Sequence, residues 1–318
     1  MNFVSTGSTI SELRAGDEVR GVFACARKDR LRTRTGSPYL ALELRDRTGS
    51  VQARAFRDAD QLAGLFEKGD VVAVIGRVER FRDELTVEIV DIRRAEQATA
   101  GGAGAAAPDA QLLERFLPVA FRDMEELDGF LEHLAREVYD PGYRALLESV
   151  LSDAQLREAF RRTPCTRAGH HAYLGGLLEH TVAVATLARE LCDLHRRLNS
   201  DLLLTAALLH DLGRMREFTY GAEIGLTEQG RLLGHLALGQ QMLLERFALL
   251  QGEAAAQLDE PRRLALLHCV QAHHGASGLP GGRFASPEAL ALYRVNALDA
   301  GVKGALEHGI GTAEEGRG

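Results

Sequence analysis

The hydrophobic pattern of this 318-residue chain changes its period once, across a short uncharged segment. Residues 98–108 read ATAGGAGAAAP, and their glycines favour a flexible linker over the alternative, an alanine-rich helix. Before the linker apolar residues alternate as in strands, and after it they recur every three or four residues as in helices. The chain is therefore predicted to be a multidomain α+β protein, with an all-β domain over residues 1–97, an all-α domain over 109–311 and a frayed tail over 312–318.

Charge and composition narrow the class of protein. Lys and Arg number 38 against 45 Asp and Glu, a net charge of −7, which excludes a wholly basic nucleic-acid protein but allows a local basic groove. No apolar run is long enough to span a membrane, and we see no secretion signal. The cysteines are scattered without a CxxC pair, so neither zinc nor redox work is indicated: Cys25, Cys165, Cys192 and Cys269. We expect a cytoplasmic protein without membrane partners.

The first domain has the element order of a small barrel. Alternating patterns predict strands over residues 18–26, 38–44, 50–56, 71–79 and 85–92, and helical spacing predicts a short helix over 58–67. Three strands, a helix and two strands form the order of an OB-fold, a five-stranded, partly open barrel.

A basic cluster supports nucleic-acid binding by this barrel. Its members crowd the predicted loop between the first two strands, and aromatic residues nearby could stack on bases. The alternatives are a solvated loop and core aromatics. The predicted binding residues are Arg27, Lys28, Arg30, Arg32, Arg34, Phe23, Tyr39 and Phe56.

All eleven histidines follow the linker. A buried helix is predicted to end in His210-Asp211, with Gly213 as its stop. Adjacent His and Asp at the end of an apolar helix are costly unless they are paired or bind an ion. A single HD pair is a weak signal for a metal site, so the interpretation depends on other potential ligands elsewhere in the chain.

Other potential ligands recur at helix ends or on buried faces. They follow in the order His180, His210-Asp211, His235, His273-His274 and Asp299. Each has a plain alternative: His180 as a core histidine, His235 as a cap, Asp299 as the partner of an arginine. Histidine-rich ligand sets favour Mn²⁺, with Fe²⁺ or Co²⁺ as alternatives, over Mg²⁺.

This arrangement resembles the HD superfamily of metal-dependent phosphohydrolases. The whole chain is similar to the YhaM-type 3′→5′ exoribonucleases, through the stretches HHAYLGGLLEHT, LLHDLGR, TEQGRLLGH, AHHG and NALDA. The resemblance implies an OB-fold followed by an HD domain with two divalent ions. It assigns His180, His210, Asp211 and Asp299 to one ion, and His235, His273 and His274 to the second, with Asp211 bridging.

The expected activity is metal-dependent hydrolysis of single-stranded RNA, and of single-stranded DNA in addition, to mononucleotides from the 3′ end. Asp211, Arg214 and His171 are the predicted catalytic residues. Arg214, where the family usually has Lys, would contact phosphate; Gly301 also departs from the family pattern. His171, with His170, would meet the substrate or protonate the leaving oxygen; exposed helix-start histidines are the alternative. A phosphohydrolase of small nucleotides and a non-catalytic single-strand binder are the rival functions, and a homo-oligomer stays open.

Overall fold

A computed structural model describes residues 9–81, 84–95 and 115–310. It divides into two compact units: the described residues up to Pro118 together with Thr219–Gly225, and the remainder. The predicted linker (98–108), the predicted tail (312–318) and the limits at 97 and 109 lie outside the described residues. These boundaries therefore stay predictions.

Five strands of the first unit close a barrel in the order β1-β2-β3-β5-β4. Strands β3 and β5 pair in parallel, and the other neighbours are antiparallel. The elements are β1 Glu18–Arg32, β2 Pro38–Asp46, β3 Gly49–Ala55, helix α1 Ala59–Ala63, β4 Val71–Phe81 and β5 Glu84–Arg94. The predicted element order, and with it the OB-fold, is confirmed.

Strand β1 is longer than predicted because it serves two partners. Residues 18–24 pair with β4, residues 24–32 pair with β2, and a register shift lies between Cys25 and Arg27. A bulge of this kind bends a strand and increases its twist, which helps a sheet to close.

The second unit is mainly helical. Its helices are α2 Met124–Arg136, α3 Pro141–Leu151, α4 Ala154–Arg162, α5 Gly176–Leu194, α6 Ser200–Leu209, α7 Arg214–Glu217, α8 Glu228–Leu249, α9 Gly252–Gln257, α10 Glu260–Ala272 and α11 Pro287–His308. Within the described ranges, no helix combines the length and hydropathy needed to cross a membrane.

Side-chain caps fix where most of these helices begin. At each N-cap a side-chain oxygen accepts a backbone N–H of the first turn, which satisfies a donor that the helix leaves unpaired. The capping residues are Asp123, Asp140, Asp153, Asn199, Thr227, Asp259 and Ser286.

The expectation that no strand follows the linker needs one correction. Strands β6 (Phe218–Tyr220) and β7 (Ile224–Leu226) form a two-stranded sheet directly after α7. Three-residue strands are too short to give an alternating pattern, so the sequence carried no signal for this hairpin.

Candidate metal centre and nucleic-acid surface

The metal-ligand residues predicted from the sequence converge within the helical unit. Helix α5, the α6–α7 turn, α8, the end of α10 and α11 supply them. They form overlapping groups, and within each group the donor atoms lie within 4.8 Å of one another. The structure thus brings together His180, His210, Asp211, His235, His273, His274 and Asp299.

Asp211 lies at the centre and presents its two oxygens to different imidazoles. Its Oδ2 is 3.8 Å from His180 Nε2 and 3.7 Å from His210 Nε2. Its Oδ1 is 3.5 Å from His235 Nε2 and 3.4 Å from His273 Nε2. One carboxylate therefore belongs to two sets of nitrogen donors, which is the arrangement expected where a carboxylate bridges two ions.

Backbone carbonyls orient two of the imidazoles. Nδ1–H of His210 donates to the Ala207 carbonyl at 2.8 Å, and Nδ1–H of His273 donates to the Val270 carbonyl at 2.7 Å. In both rings the lone pair is then on Nε2, the atom that faces Asp211. Metal-ligating histidines are commonly fixed in this way.

Buried polar atoms in this centre lack hydrogen-bond partners. Within the described residues, Asp211 Oδ1 and His273 Nε2 have none. Leaving such an atom unsatisfied costs about 1–3 kcal/mol, and a bound cation would remove that cost. The donor chemistry therefore fits divalent metal ions.

The protonation states also suit metal ligands. Burial lowers the pKa of His210 and His273, and it lowers the pKa of His274 to about 3. Burial alone would raise the pKa of Asp211, but the Arg214 guanidinium outweighs it and helps to hold that pKa well below its usual range. His210, His273 and His274 are therefore neutral and the Asp211 carboxylate is ionised.

The adjacent His273 and His274 differ in their surroundings. His273 is fully buried against Asp211, whereas His274 is more exposed and its Nε2 lies 2.8 Å from His235 Nε2. His273 and His274 nevertheless each offer a nitrogen to the same ligand group, which also contains Asp211 and His235.

Asp299 contacts the imidazole of His180, on the side opposite to Asp211. Its Oδ2 lies 2.7 Å from His180 Nδ1 and 3.1 Å from His171 Nε2. The Tyr173 hydroxyl lies 2.8 Å from His171 Nδ1 and donates to Glu179 at 2.8 Å. Both ring nitrogens of His171 are thus engaged.

His171 does not match the alternative of a water-exposed residue at a helix start. It is 1% exposed and has a φ of 51°, in the left-handed region. Its place beside Asp299 favours positioning of that carboxylate over direct contact with a substrate.

Arg214 faces carboxylates. Its Nε lies 3.4 Å from Asp211 Oδ1, and its NH1 donates to Glu217 at 2.8 Å. Glu217 also accepts the backbone N–H of His235 at 3.2 Å. Sequence reasoning missed Glu217, because a single Glu four residues after Gly213 carries no signal by itself.

Two glycines bring α7 and α8 close enough to build the centre. Gly213 was predicted as a helix stop, but its φ of −63° is ordinary for any residue. A Cβ there would lie 2.0 Å from the His235 carbonyl oxygen, so close packing is the reason for glycine. Gly234 has a φ of 69°, which kinks α8 directly before His235.

The basic residues of the barrel lie mostly on a strand and not on a loop. Arg27, Lys28, Arg30 and Arg32 belong to β1, and only Arg34 lies in the turn that follows. The prediction of a basic loop was wrong because β1 extends past its bulge.

Two predicted binding residues of the barrel are structural. Phe23 is 1% exposed in the barrel core, so its assignment as a stacking platform was wrong. The Lys28 ammonium donates to the carbonyls of Ala63, at 2.7 Å, and of Phe66, which stabilises the end of α1. Its side chain is only 10% exposed.

The remaining aromatic and basic side chains are accessible. Tyr39 and Phe56 stack with ring centroids 5.3 Å apart, and Phe56 is 47% exposed. Arg54 lies over the ring of Phe81 at 4.3 Å. The sequence did not predict this contact, because Arg54 lies in β3 and Phe81 lies in β4.

Family models match both units. Residues 22–94 match an OB-fold nucleic acid binding domain, and residues 177–301 match the HD domain. The fold and the site therefore define a protein that joins an OB-fold domain to an HD domain.

Over most of its length the chain resembles the YhaM-type exoribonucleases, as its motifs predicted. A protein of Oceanobacillus iheyensis named 3′-5′ exoribonuclease YhaM is 27% identical, over 82% of this chain and 76% of its own. A protein of the same name from Shouchella clausii is 27% identical, over 90% of this chain and 85% of its own. The second OB-fold domain of replication protein A from Methanococcus maripaludis covers 28% of this chain and 94% of its own, at 22% identity and a TM-score of 0.24.

Proposed function

We propose that this protein is a metal-dependent 3′→5′ exoribonuclease that hydrolyses single-stranded RNA, and single-stranded DNA in addition, to mononucleotides. The observation that carries the proposal is the shared Asp211, whose oxygens face two sets of imidazoles at 3.4–3.8 Å. The HD domain and relatives named exoribonuclease support the reaction and its polarity.

The proposed metal ligands are those that the resemblance to the HD superfamily implies. His180, His210, Asp211 and Asp299 would hold one ion, and His235, His273 and His274 the second, with Asp211 common to both. Bound divalent ions would supply Lewis-acid polarisation of the scissile phosphate and neutralise its charge. Mn²⁺ suits this nitrogen-rich set, with Fe²⁺ and Co²⁺ as the next candidates.

Residues around the ligands keep the donors in place. Arg214 holds the pKa of Asp211 low and joins it to Glu217, which in turn fixes the backbone of His235. His171 positions Asp299 through its Nε2. We retain a phosphate contact by Arg214 as a prediction, since a guanidinium has more donors than these two carboxylates occupy.

The barrel is proposed to bind the single strand. Exposed Phe56, stacked on Tyr39, offers a face on which a base can lie, while Arg27, Arg30, Arg32 and Arg34 supply positive charge. Duplexes should resist hydrolysis, because stacking of this kind requires splayed bases. A cytoplasmic location accords with this substrate.

The test is hydrolysis of a 5′-labelled single-stranded RNA by metal-stripped protein with Mn²⁺ added back. Asp211→Ala should abolish cleavage because it removes the carboxylate that both groups share. Asp193→Ala removes an exposed carboxylate at the end of α5 and should cleave as the wild type does. Labelled products that shorten from the 3′ end, and only with metal, are expected.

Intact RNA with wild-type protein and Mn²⁺ would overturn the substrate assignment. Hydrolysis of a small phosphodiester under the same conditions would then identify a phosphohydrolase of nucleotides. Binding of RNA without any hydrolysis would identify a single-strand binder.

A further inference from the structure

A buried thiol lies beside the metal centre, in a position that the proposed reaction does not use. Cys165 is a free cysteine, and its Sγ lies 3.8 Å from Asp211 Oδ2. His170 Nε2 lies 3.8 Å from the same sulfur. Cys165, His170 and His180 form a ligand group of their own, with donor atoms within 4.8 Å of one another.

The backbone between the two new donors is already folded to hold them together. The N–H of Cys165 donates to the His171 carbonyl at 3.1 Å. The Thr166 hydroxyl donates to the His170 carbonyl at 2.7 Å and accepts the N–H of Gly169 at 2.9 Å. Little reorganisation is therefore needed for sulfur and imidazole to share an ion.

The distances suit a tetrahedral thiolate site. Zinc–sulfur and zinc–nitrogen bonds of about 2.3 and 2.0–2.1 Å place the two donor atoms roughly 3.6 Å apart at a tetrahedral angle. The observed sulfur–nitrogen distance is 3.8 Å. Asp211 Oδ2 lies 3.8 Å from the sulfur but does not belong to this group of three donors.

We propose that Cys165, His170 and His180 form a second, inhibitory binding mode for a thiophilic divalent cation such as Zn²⁺. The cation forms a bond to sulfur and the thiol proton leaves to solvent, so charge and atoms balance. This mode takes His180 away from the ion that the proposed reaction requires. Its inhibitory consequence therefore rests on the proposed function, whereas binding of the cation does not.

Selectivity follows from the chemistry of the donors. Thiolate sulfur binds zinc more tightly than it binds Mn²⁺. The same protein would thus be active with Mn²⁺ and inhibited by Zn²⁺.

The first experiment measures binding without RNA. Co²⁺ is titrated into metal-stripped full-length protein, and the near-ultraviolet thiolate-to-cobalt charge-transfer band is recorded. Wild type and Cys269→Ser should show the band; Cys269 is an equally buried cysteine outside every ligand group that the described residues form. Cys165→Ser should lose it. Cobalt binding to wild type without the band, or a band that persists in Cys165→Ser, would overturn the proposal.

The second experiment measures the consequence. Zn²⁺ is titrated against RNA hydrolysis at fixed Mn²⁺, and each variant is compared with its own zinc-free rate. Cys165→Ser should require at least about tenfold more Zn²⁺ for half-inhibition, because it lacks one ligand. Equal zinc sensitivity would overturn the inhibitory role. Cys165→Ala replaces Cys165→Ser in both experiments if the serine variant has a lowered melting temperature. If wild-type protein shows the charge-transfer band but leaves RNA intact, only the proposed function is contradicted.

Discussion

The two units differ in where they keep their polar side chains. In the described part of the barrel, the buried polar residues are Asp46 and Thr86. The helical unit buries its polar residues in quantity, among them His171, His180, His210, Asp211, Glu217, His273 and Asn296. The barrel therefore carries its proposed function on its surface, whereas the helical unit carries it inside.

This difference has an energetic meaning. A surface site is solvated whether or not a ligand is bound, so each side chain contributes a separate, modest amount. A buried polar site is stable only when its groups satisfy one another or share an ion. We therefore expect cooperative losses in the helical unit and graded losses in the barrel.

After the loss expected for Asp211→Ala, the largest expected effect is that of His273→Ala. It removes a buried imidazole that faces Asp211 Oδ1, and hydrolysis of RNA should fall at least about a hundredfold. The rise in melting temperature on addition of Mn²⁺ should shrink as well, because the ion stabilises only the folded state that binds it. His268→Ala, on the same helix but outside the metal groups of the described residues, is the control. Equal activity of the two variants would contradict the cooperative centre.

The next effect comes from the backbone contact at Gly213. Gly213→Ala places a Cβ 2.0 Å from the His235 carbonyl oxygen, which must move α8 away from Asp211. We expect a loss of about 1–3 kcal/mol in the free energy of unfolding, together with weakened Mn²⁺ binding.

Gly301→Ala is the matched control for that substitution. No described atom lies within 4 Å of a Cβ at Gly301, within helix α11. Replacement of this helical glycine should stabilise the protein by about 0.5–1 kcal/mol in denaturant unfolding. A destabilised Gly301→Ala would show that this family departure has a role in packing.

In the barrel, Phe56→Ala should weaken RNA binding without stopping hydrolysis. Loss of one stacking face costs about 1–3 kcal/mol, which is about 5- to 150-fold in Kd. A dinucleotide substrate should be hydrolysed at the wild-type rate. Phe121→Ala, which removes a fully exposed phenyl ring of the helical unit, should leave RNA affinity unchanged. A large loss of dinucleotide hydrolysis in Phe56→Ala would contradict the assignment of RNA binding to the barrel and of hydrolysis to the helical unit.

The last comparison separates two cations of β1, Lys28 and Arg32, by the property that each affects. Lys28→Met should lower the free energy of unfolding by about 1–2 kcal/mol, because it leaves two carbonyls at the end of α1 without their donor. Arg32→Met should instead reduce the slope of RNA affinity against salt by about one contact, with unchanged stability. Chemical denaturation measures the stability, and RNA binding at several salt concentrations measures the slope. A smaller salt slope in Lys28→Met, or a lower stability in Arg32→Met, would contradict these assignments.

Local patterns made much of the fold predictable. Leu40, Leu42 and Leu44 alternate along β2 and are all fully buried, as a period of two requires. The helix starts carry Asp, Asn, Ser or Thr caps that hydrogen-bond within the same turn. Helix α4 has a weak pattern, because Phe160 is its one buried residue among mostly charged and polar neighbours.

Burial was harder to predict where contacts are long-range. Phe23 precedes the bulge of β1, where Ala24 and Cys25 are buried as well, so alternation fails at that point. Lys28 finds its acceptors 35 and 38 residues away in the chain. No local pattern distinguishes it from its exposed neighbour Arg27.

By itself, the sequence predicted the two folds, because helix period and strand alternation are local properties, and its motifs predicted the residues of the candidate metal centre through their resemblance to the HD superfamily. Only the tertiary structure decided that Asp299 meets this centre through His180, and that Cys165 lies beside Asp211. These contacts link His180 to Asp299 across 119 positions and Cys165 to Asp211 across 46. The physical reason is that a buried donor acquires its chemistry from whatever the packing of distant helices places beside it.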